Sequence, residues 1–219
     1  MKEQQKKYEL TDEFIVHWSG KKLYRIRALV AFGAVAAGQL GGFVESEKNL
    51  DQSLSGSAWV YGNAQVYGYA KVYGNAQVYG NAKVCGDAQV YGYAKVYGNA
   101  QVYGDAWVYG NAKVYGYAKV YGNAQVYGDA WVYGNAWVRS YAVILERKMI
   151  FWASNVGSEN GTLTVFNGKD GLIVTRGCFT GTVDEFLAKS AEVHDDKTKN
   201  EYKLLIEVAK SRILGVKDE

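Results

Sequence analysis

The middle of the chain alternates small apolar residues with polar ones in a strict period of six. Valine recurs at every sixth position, and alanine stands two residues before each valine. A period of six does not fit the 3.6-residue turn of an α-helix, whereas residues two apart share one face of a β-strand. Each hexad therefore predicts a short strand with alanine and valine on its inner face. The valines are Val60, Val66, Val72, Val78, Val84, Val90, Val96, Val102, Val108, Val114, Val120, Val126, Val132 and Val138.

The remaining positions of the hexad predict an outer surface and a corner. Glutamine, lysine or tryptophan separates the alanine from the valine, and tyrosine follows the valine in nearly every repeat. Glycine comes next, followed mostly by asparagine or aspartate, which tolerate the positive φ of a tight corner. Leu54 and Ile144 extend the valine register at the two ends, and we expect both to point inward.

A single hexad cannot bury its inner face, so the chain must coil and stack its coils. Three sides close over three valines in each layer, whereas four sides leave a larger central void, and voids are costly. We therefore predict about five three-sided coils, each built from three hexads in an 18-residue repeat.

One observation favours the alternative of a four-sided coil. Tyrosine replaces the corner asparagine at Tyr69, Tyr93, Tyr117 and Tyr141, which recur at every fourth hexad. Our preferred interpretation is that a four-hexad segment was duplicated in the gene while the coil stayed three-sided. In that case the four tyrosines spiral around the corners of the solenoid.

The pattern of an aliphatic residue, three variable positions and a small residue resembles the hexapeptide-repeat family. The resemblance implies a left-handed parallel β-helix. The phrasing Tyr-Gly-Asn-Ala-x-Val is most similar to uncharacterised bacterial and prophage-encoded proteins of that family, some of which carry only an acyltransferase label. The predicted fold is mainly β. Its parts are an N-terminal β-rich cap with leading strands (1–53), the β-helix (54–146) and a C-terminal α+β cap or small domain (147–219).

The two ends of the chain predict elements that close the open coils. The segment 21–29, "KKLYRIRAL", predicts a strand of the N-terminal cap, and "GGFVES" at 41–46 leads toward the first coil. The C-terminal part predicts a ββαα arrangement, with a hairpin turning at 167–171 and two amphipathic helices. Thr182 is followed three residues later by Glu185, which is the spacing of a helix capping box.

Composition and charge narrow the function classes. The net charge of +3 is too small to indicate a nucleic-acid partner, and the apolar run at 28–37 is too short to span a membrane. The two cysteines lie far apart, and the N-terminus lacks a signal-peptide pattern, so we expect a cytoplasmic protein. The sequence contains no cluster of metal ligands, and we predict no metal and no cofactor.

Catalysis is not indicated by the repeat. Acyltransferases of the hexapeptide-repeat family use a histidine base, and this resemblance would require one in the coils. The only histidines are His17 and His194, one near each end of the chain. We therefore expect a binding protein without catalytic residues; a hexapeptide-type acyltransferase and a structural phage component are the alternatives.

Aromatic residues are the remaining candidates for function. The tyrosines after the valines either form ladders that hold the coils in register or provide an adhesive surface. The expected partner is a protein, which includes a second copy of this chain in a homotrimer or dimer. The candidate interaction surface consists of Trp59, Trp107, Trp131, Trp137, Tyr69, Tyr93, Tyr117 and Tyr141.

Overall fold

Three strands precede the repeat and form an antiparallel sheet at its N-terminal end. They are β1 (Tyr8–Val16), β2 (Lys22–Ala28) and β3 (Leu40–Val44), in a computed structural model that describes residues 5–215. The predicted strand at 21–29 is thus confirmed as β2. Phe43 and Val44 of β3 also pair in parallel with Gln65 and Val66, so the N-terminal sheet continues directly into one wall of the repeat.

Each hexad of the repeat forms one strand of two residues. These strands, β4 to β18 in chain order, are Trp59–Val60, Gln65–Val66, Lys71–Val72, Gln77–Val78, Lys83–Val84, Gln89–Val90, Lys95–Val96, Gln101–Val102, Trp107–Val108, Lys113–Val114, Lys119–Val120, Gln125–Val126, Trp131–Val132, Trp137–Val138 and Val143–Ile144. Val96 pairs with Val78 on one side and with Val114 on the other, so each strand lies beside the third strand before it and the third strand after it. The coil is therefore three-sided, as predicted, and the four-sided alternative is wrong.

The three walls of the solenoid are parallel sheets, which we name after the tryptophan near the middle or end of each. The Trp137 face contains β5, β8, β11, β14 and β17. The Trp107 face contains β6, β9, β12, β15 and β18. The Trp131 face contains β4, β7, β10, β13 and β16.

The interior of the solenoid is built from alanine and valine alone over most of its length. Every alanine from Ala58 to Ala142 and every register valine is buried, and Ile144 continues the series. The corner glycines have φ between 60° and 72°. At Gly98 a Cβ atom would also lie 3.1 Å from the backbone nitrogen of Gly116 in the next coil, so a side chain there would combine an unfavourable φ with a tight contact.

The first coil departs from the predicted register. Leu54 is 47% exposed, and Leu50 takes the inward position and pairs with Val72. Paired valines in the later coils are one 18-residue repeat apart in the sequence, whereas Leu50 and Val72 are four positions further apart. The four additional residues leave the wall as a loop between Leu50 and Trp59. The inward prediction for Leu54 is therefore wrong. Together with β3, this segment adds a coil, and the solenoid has about six turns.

The C-terminal part is a four-stranded antiparallel sheet followed by two helices. The strands are β19 (Ile150–Val156), β20 (Gly161–Gly168), β21 (Gly171–Arg176) and β22 (Phe179–Thr182), and the helices are α1 (Val183–Val193) and α2 (Asp196–Leu214). The predicted hairpin is confirmed as β20 and β21, whereas β19 and β22 were not predicted. Thr182 Oγ1 accepts from the Glu185 N–H at 3.2 Å and Glu185 Oε2 accepts from the Thr182 N–H at 2.7 Å, which confirms the capping box.

Both ends of the solenoid are closed by side chains that satisfy its open backbone groups. At the C-terminal end the Trp137 N–H donates to Thr164 Oγ1 at 3.2 Å, and Thr175 Oγ1 donates to the Trp137 carbonyl at 2.8 Å. At the N-terminal end Asn49 Nδ2 donates to the Ala70 carbonyl at 2.9 Å. Unpaired strand edges invite aggregation, so these bonds terminate the stack.

Membrane-spanning helices are not found between residues 5 and 215, since neither α1 nor α2 is long and apolar enough to cross a bilayer.

The dry interior predicts a large difference between adjacent substitutions. Val96→Asp places an unpaired carboxylate among buried valines and should cost more than about 4 kcal/mol, enough to abolish the cooperative fold. Tyr97→Ser removes two ring stacks on the outside and should cost about 1–3 kcal/mol. Thermal unfolding followed by circular dichroism compares the two, and a folded Val96→Asp variant would mean that inside and outside are reversed.

Candidate functional site

The structure separates the four predicted surface tryptophans into three environments. Trp59 is fully buried, because the rings of Tyr8 and Phe32 pack edge-on against it at centroid distances of 5.9 and 5.3 Å. Its assignment to an interaction surface is therefore wrong. The N-terminal segment covers the first coil, so Trp59 belongs to the core, although its place in the hexad matches the outward tryptophans.

Trp131 and Trp137 are partly buried and carry cations from the chain itself. Lys113 Nζ lies 4.5 Å from the ring centroid of Trp131, and the Arg147 guanidinium carbon lies 3.6 Å from it. Lys119 Nζ lies 4.4 Å from the ring centroid of Trp137. Such cation–π contacts fill the ring faces that a partner would otherwise use.

The four corner tyrosines spiral around the solenoid, as the duplication hypothesis predicts. Tyr69 is 80% exposed, and the other three, Tyr93, Tyr117 and Tyr141, are 64–65% exposed. Successive members move on by one coil and one side, so the four do not form a single cluster. Tyr69 and Tyr141 return to the same corner, which borders the Trp107 face, and are four coils or about 19 Å apart.

The tyrosines that follow the valines form stacked ladders, as one of the two interpretations predicted. Ring centroids in adjacent coils are 4.7–5.0 Å apart and the ring planes are nearly parallel. The Trp107 face carries Tyr73, Tyr91, Tyr109 and Tyr127, the Trp131 face carries Tyr79, Tyr97, Tyr115 and Tyr133, and the Trp137 face carries the pair Tyr103 and Tyr121.

Burial changes the ionisation of the ladder on the Trp137 face. It raises the pKa of Tyr103 to about 12, and it raises the pKa of Tyr67 further, with Cys85 adding to the effect. Cys85 occupies a tyrosine position of the same ladder and is only partly exposed. Burial raises the pKa of its thiol as well, so this cysteine stays protonated and unreactive near neutral pH.

Trp107 differs from the other tryptophans because it lies in an open cleft. The ring is 41% exposed, and the cleft has a volume of about 370 Å³. Each of three successive coils contributes one residue from the bordering corner and one residue from the Trp107 face to the lining of the cleft. The lining residues, which we call the Trp107 groove, are Asp87, Gln89, Asp105, Trp107, Asn123 and Gln125.

The Trp107 groove continues toward the N-terminal end of the solenoid. A second cleft of about 630 Å³ shares Asp87 and Gln89 with it and is also lined by Tyr69 and Lys71. Tyr141 lies beyond Asn123 on the same corner. Of the eight predicted residues, the structure thus brings Trp107, Tyr69 and Tyr141 to one side of the solenoid.

The polar members of the groove were missed as functional candidates. The aspartates that follow the glycines, Asp87 and Asp105 among them, were interpreted from the sequence only as corner residues. Their places beside Trp107 could nevertheless have been inferred from the sequence. When the sequence is written with one coil per line, Asp87, Asp105 and Asn123 fall in one column, and Gln89, Trp107 and Gln125 fall in another. Such an alignment would have revealed the groove.

The two histidines lie at opposite ends of the part of the chain that the structure describes. His17 packs against Tyr67 at a centroid distance of 4.5 Å within the N-terminal cap, and His194 ends α1 at the other end. Groups of three or more His, Cys, Asp or Glu side chains suited to a metal ion are absent from residues 5–215.

The raised tyrosine pKa values predict a loss of stability at high pH. The folded state retains phenolic protons that the unfolded chain releases from about pH 10, so the free energy of unfolding should fall between pH 10 and pH 12. Tyr103→Phe keeps the ring stacked on Tyr121 but removes one such proton, so its stability should fall less over this range. Urea unfolding at both pH values measures the difference; equal losses would contradict the assignment.

The repeat is similar to a described family of solenoid repeats. Five segments match the family model for the YdcK beta solenoid repeat, at residues 76–92, 94–110, 100–116, 118–134 and 124–140. All five lie within the regular part of the solenoid, and the match extends to neither cap. A comparison with curated proteins found no match. These results support a β-solenoid repeat.

Proposed function

We propose that this protein is an interaction module without catalytic activity, in which a rigid solenoid presents the Trp107 groove and its two bordering tyrosines to a protein partner. The observation that carries the proposal is the contrast among the tryptophans. Trp59 is buried, Trp131 and Trp137 carry the chain's own cations, and Trp107 lies open in a cleft.

The chemistry of this surface favours protein recognition. Exposed tryptophan and tyrosine are enriched at the centres of protein interfaces, where they supply much of the binding energy. Tyr69 and Tyr141 bracket Trp107 along one corner over about 19 Å, a length compatible with an interface patch of about 800 Å².

Rigidity supports the same proposal. The groove is attached to strands whose inner residues are fully buried and whose outer tyrosines are stacked coil upon coil. A partner would therefore meet a surface that is already arranged, and little conformational entropy would be lost on binding.

The partner is either a different protein or a second copy of this chain. The resemblance to bacterial and prophage-encoded repeat proteins makes a host protein one candidate. Light scattering on the purified chain distinguishes the two cases, because self-association through the groove would give a dimer or trimer that Trp107→Ala converts to a monomer.

The residues that line the groove offer carboxylates, amides and an indole ring, and they do not include the histidine base that the acyltransferase alternative requires. Titration with acetyl-CoA in a calorimeter tests the competing acyltransferase function. Saturable micromolar binding would overturn the proposal.

The corner tyrosines provide matched variants for a direct test. The double variant Tyr69→Ala/Tyr141→Ala changes the corner beside the groove, whereas Tyr93→Ala/Tyr117→Ala changes the other two corners. The proposal predicts that a partner captured from the native host binds at least about tenfold more weakly to the first double variant and to Trp107→Ala. Binding to the second double variant should match the original chain.

Two outcomes of this test would contradict the proposal. One is equal capture by both double variants, which would move the interface away from the Trp107 groove. The other is a loss of binding only on changing Trp131 and Trp137, which would place the interface at the C-terminal end. Thermal unfolding of each variant confirms that the fold is intact.

A further inference from the structure

We propose that the Trp107 groove accepts a basic side chain, the guanidinium of an arginine or the ammonium of a lysine, from the protein partner. This inference rests on the proposed function and specifies the chemistry of the partner. It follows from a comparison of Trp107 with the other tryptophans of the repeat and from the charges that surround it.

The solenoid itself contains two examples of the proposed contact. Lys113 pairs with Trp131 of the following coil, and Lys119 pairs with Trp137 in the same way. In both cases the ammonium of one coil lies over the indole ring of the next, at 4.5 and 4.4 Å from the centroid. The repeat geometry therefore directs a cation onto an outward tryptophan whenever a lysine occupies the preceding coil.

At Trp107 the preceding coil provides a neutral side chain instead. That position is Gln89, which pairs with Trp107 along the Trp107 face and accepts a hydrogen bond from the Tyr73 hydroxyl at 3.0 Å. The following coil contributes Gln125, also neutral. Between residues 5 and 215, the lysine and arginine contacts with aromatic rings do not include Trp107.

The local sequence around Trp107 matches that of a tryptophan that does carry cations. The phrase "GDAWVYG" occurs at 104–110 and again at 128–134, so Asp105 precedes Trp107 as Asp129 precedes Trp131. Trp131 is covered by Lys113 and Arg147, whereas Gln89 stands beside Trp107 in the place that Lys113 takes beside Trp131. A cation from a partner would therefore give Trp107 the same cation–π contact that Lys113 gives Trp131.

Charge selects the kind of ligand. Asp87 and Asp105 contribute two carboxylates to the cleft, and the other lining residues are neutral. An indole face is the negative pole of the ring quadrupole and attracts cations. Carboxylates strengthen this attraction and repel phosphates and acidic peptides, so a guanidinium or ammonium group complements the groove.

Nuclear magnetic resonance tests this inference with a defined probe. The indole N–H signal of Trp107 is assigned from its absence in Trp107→Phe, and the chain is titrated with a capped Gly-Arg-Gly peptide at low salt. The inference predicts a saturable shift of this signal with weak affinity, of millimolar order. The same peptide with citrulline in place of arginine is uncharged and should shift the signal at least about fivefold less.

Carboxylate variants test the charge. Asp87→Asn/Asp105→Asn should weaken binding of the arginine peptide by about fivefold to tenfold, because two favourable charges are lost. Asp129→Asn removes one carboxylate at another corner and should leave the shift of the Trp107 signal unchanged.

A lysine introduced into the preceding coil tests the geometry. Gln89→Lys places an ammonium where Lys113 stands relative to Trp131, so it should occupy the ring of Trp107 and reduce peptide binding at least about fivefold. Gln77→Lys adds the same charge to the Trp131 face and controls for the change in net charge.

The inference is overturned if the citrulline peptide shifts the Trp107 signal as strongly as the arginine peptide, or if a neutral sugar such as maltose shifts it and the arginine peptide does not. The two proposals fail separately. A captured partner that depends on Tyr69, Tyr141 and Trp107 but is insensitive to Asp87→Asn/Asp105→Asn would retain the function and exclude the basic side chain. If the arginine peptide shifts the Trp107 signal but no partner is captured, the basic-side-chain site is retained and the proposed function is excluded.

Discussion

The stacking of three-sided coils over an interior of three alanines and three valines per layer is the constraint on which the rest of the structure depends. This interior is narrow and is filled by small buried side chains, so it favours three sides and excludes a charged residue. Backbone bonds between coils, such as the Lys95 N–H donating to the Ala112 carbonyl at 2.9 Å, then place equivalent residues directly above one another. Ring stacking, tight glycine corners and cation–π pairs all follow from that vertical alignment, because each brings equivalent positions of adjacent coils into contact.

Vertical alignment also gives one residue type several roles. A tyrosine after a valine stacks on its neighbours and stabilises the solenoid, whereas a tyrosine at a corner projects into solvent, as Tyr69 does. Tryptophan divides in the same way. Trp59 belongs to the core because the N-terminal cap covers it, Trp131 carries cations from two elements, and Trp107 remains open. Residue type alone therefore does not identify the interaction surface. The surface is identified by which side chains of the adjacent coils and caps pack against each aromatic ring.

Much of the fold could be predicted because its determinants are local and repeated. The alanine–valine interior, the corner glycines, the β20–β21 hairpin and the Thr182 capping box each depend on residues a few positions apart. The errors lie where the repeat meets a cap. Leu54 leaves the wall because the first coil is longer than the others, and Trp59 is buried by Tyr8 and Phe32, which are distant in sequence. The candidate site was predicted only in part, since Trp107, Tyr69 and Tyr141 were named without the acidic and amide residues beside them. Those neighbours become apparent only once the coil length is known.

The four-hexad spacing of the corner tyrosines has a further consequence for how such a protein can change. One duplicated unit comprises one full coil and one additional side, so inserting it acts as a screw motion of about 120° combined with an advance along the axis. Each duplication would therefore turn the C-terminal cap to a new side of the N-terminal cap, and three duplications would restore the original alignment in a longer solenoid. A gene that gains or loses such units thus samples different relative orientations of its two ends while its interior stays the same.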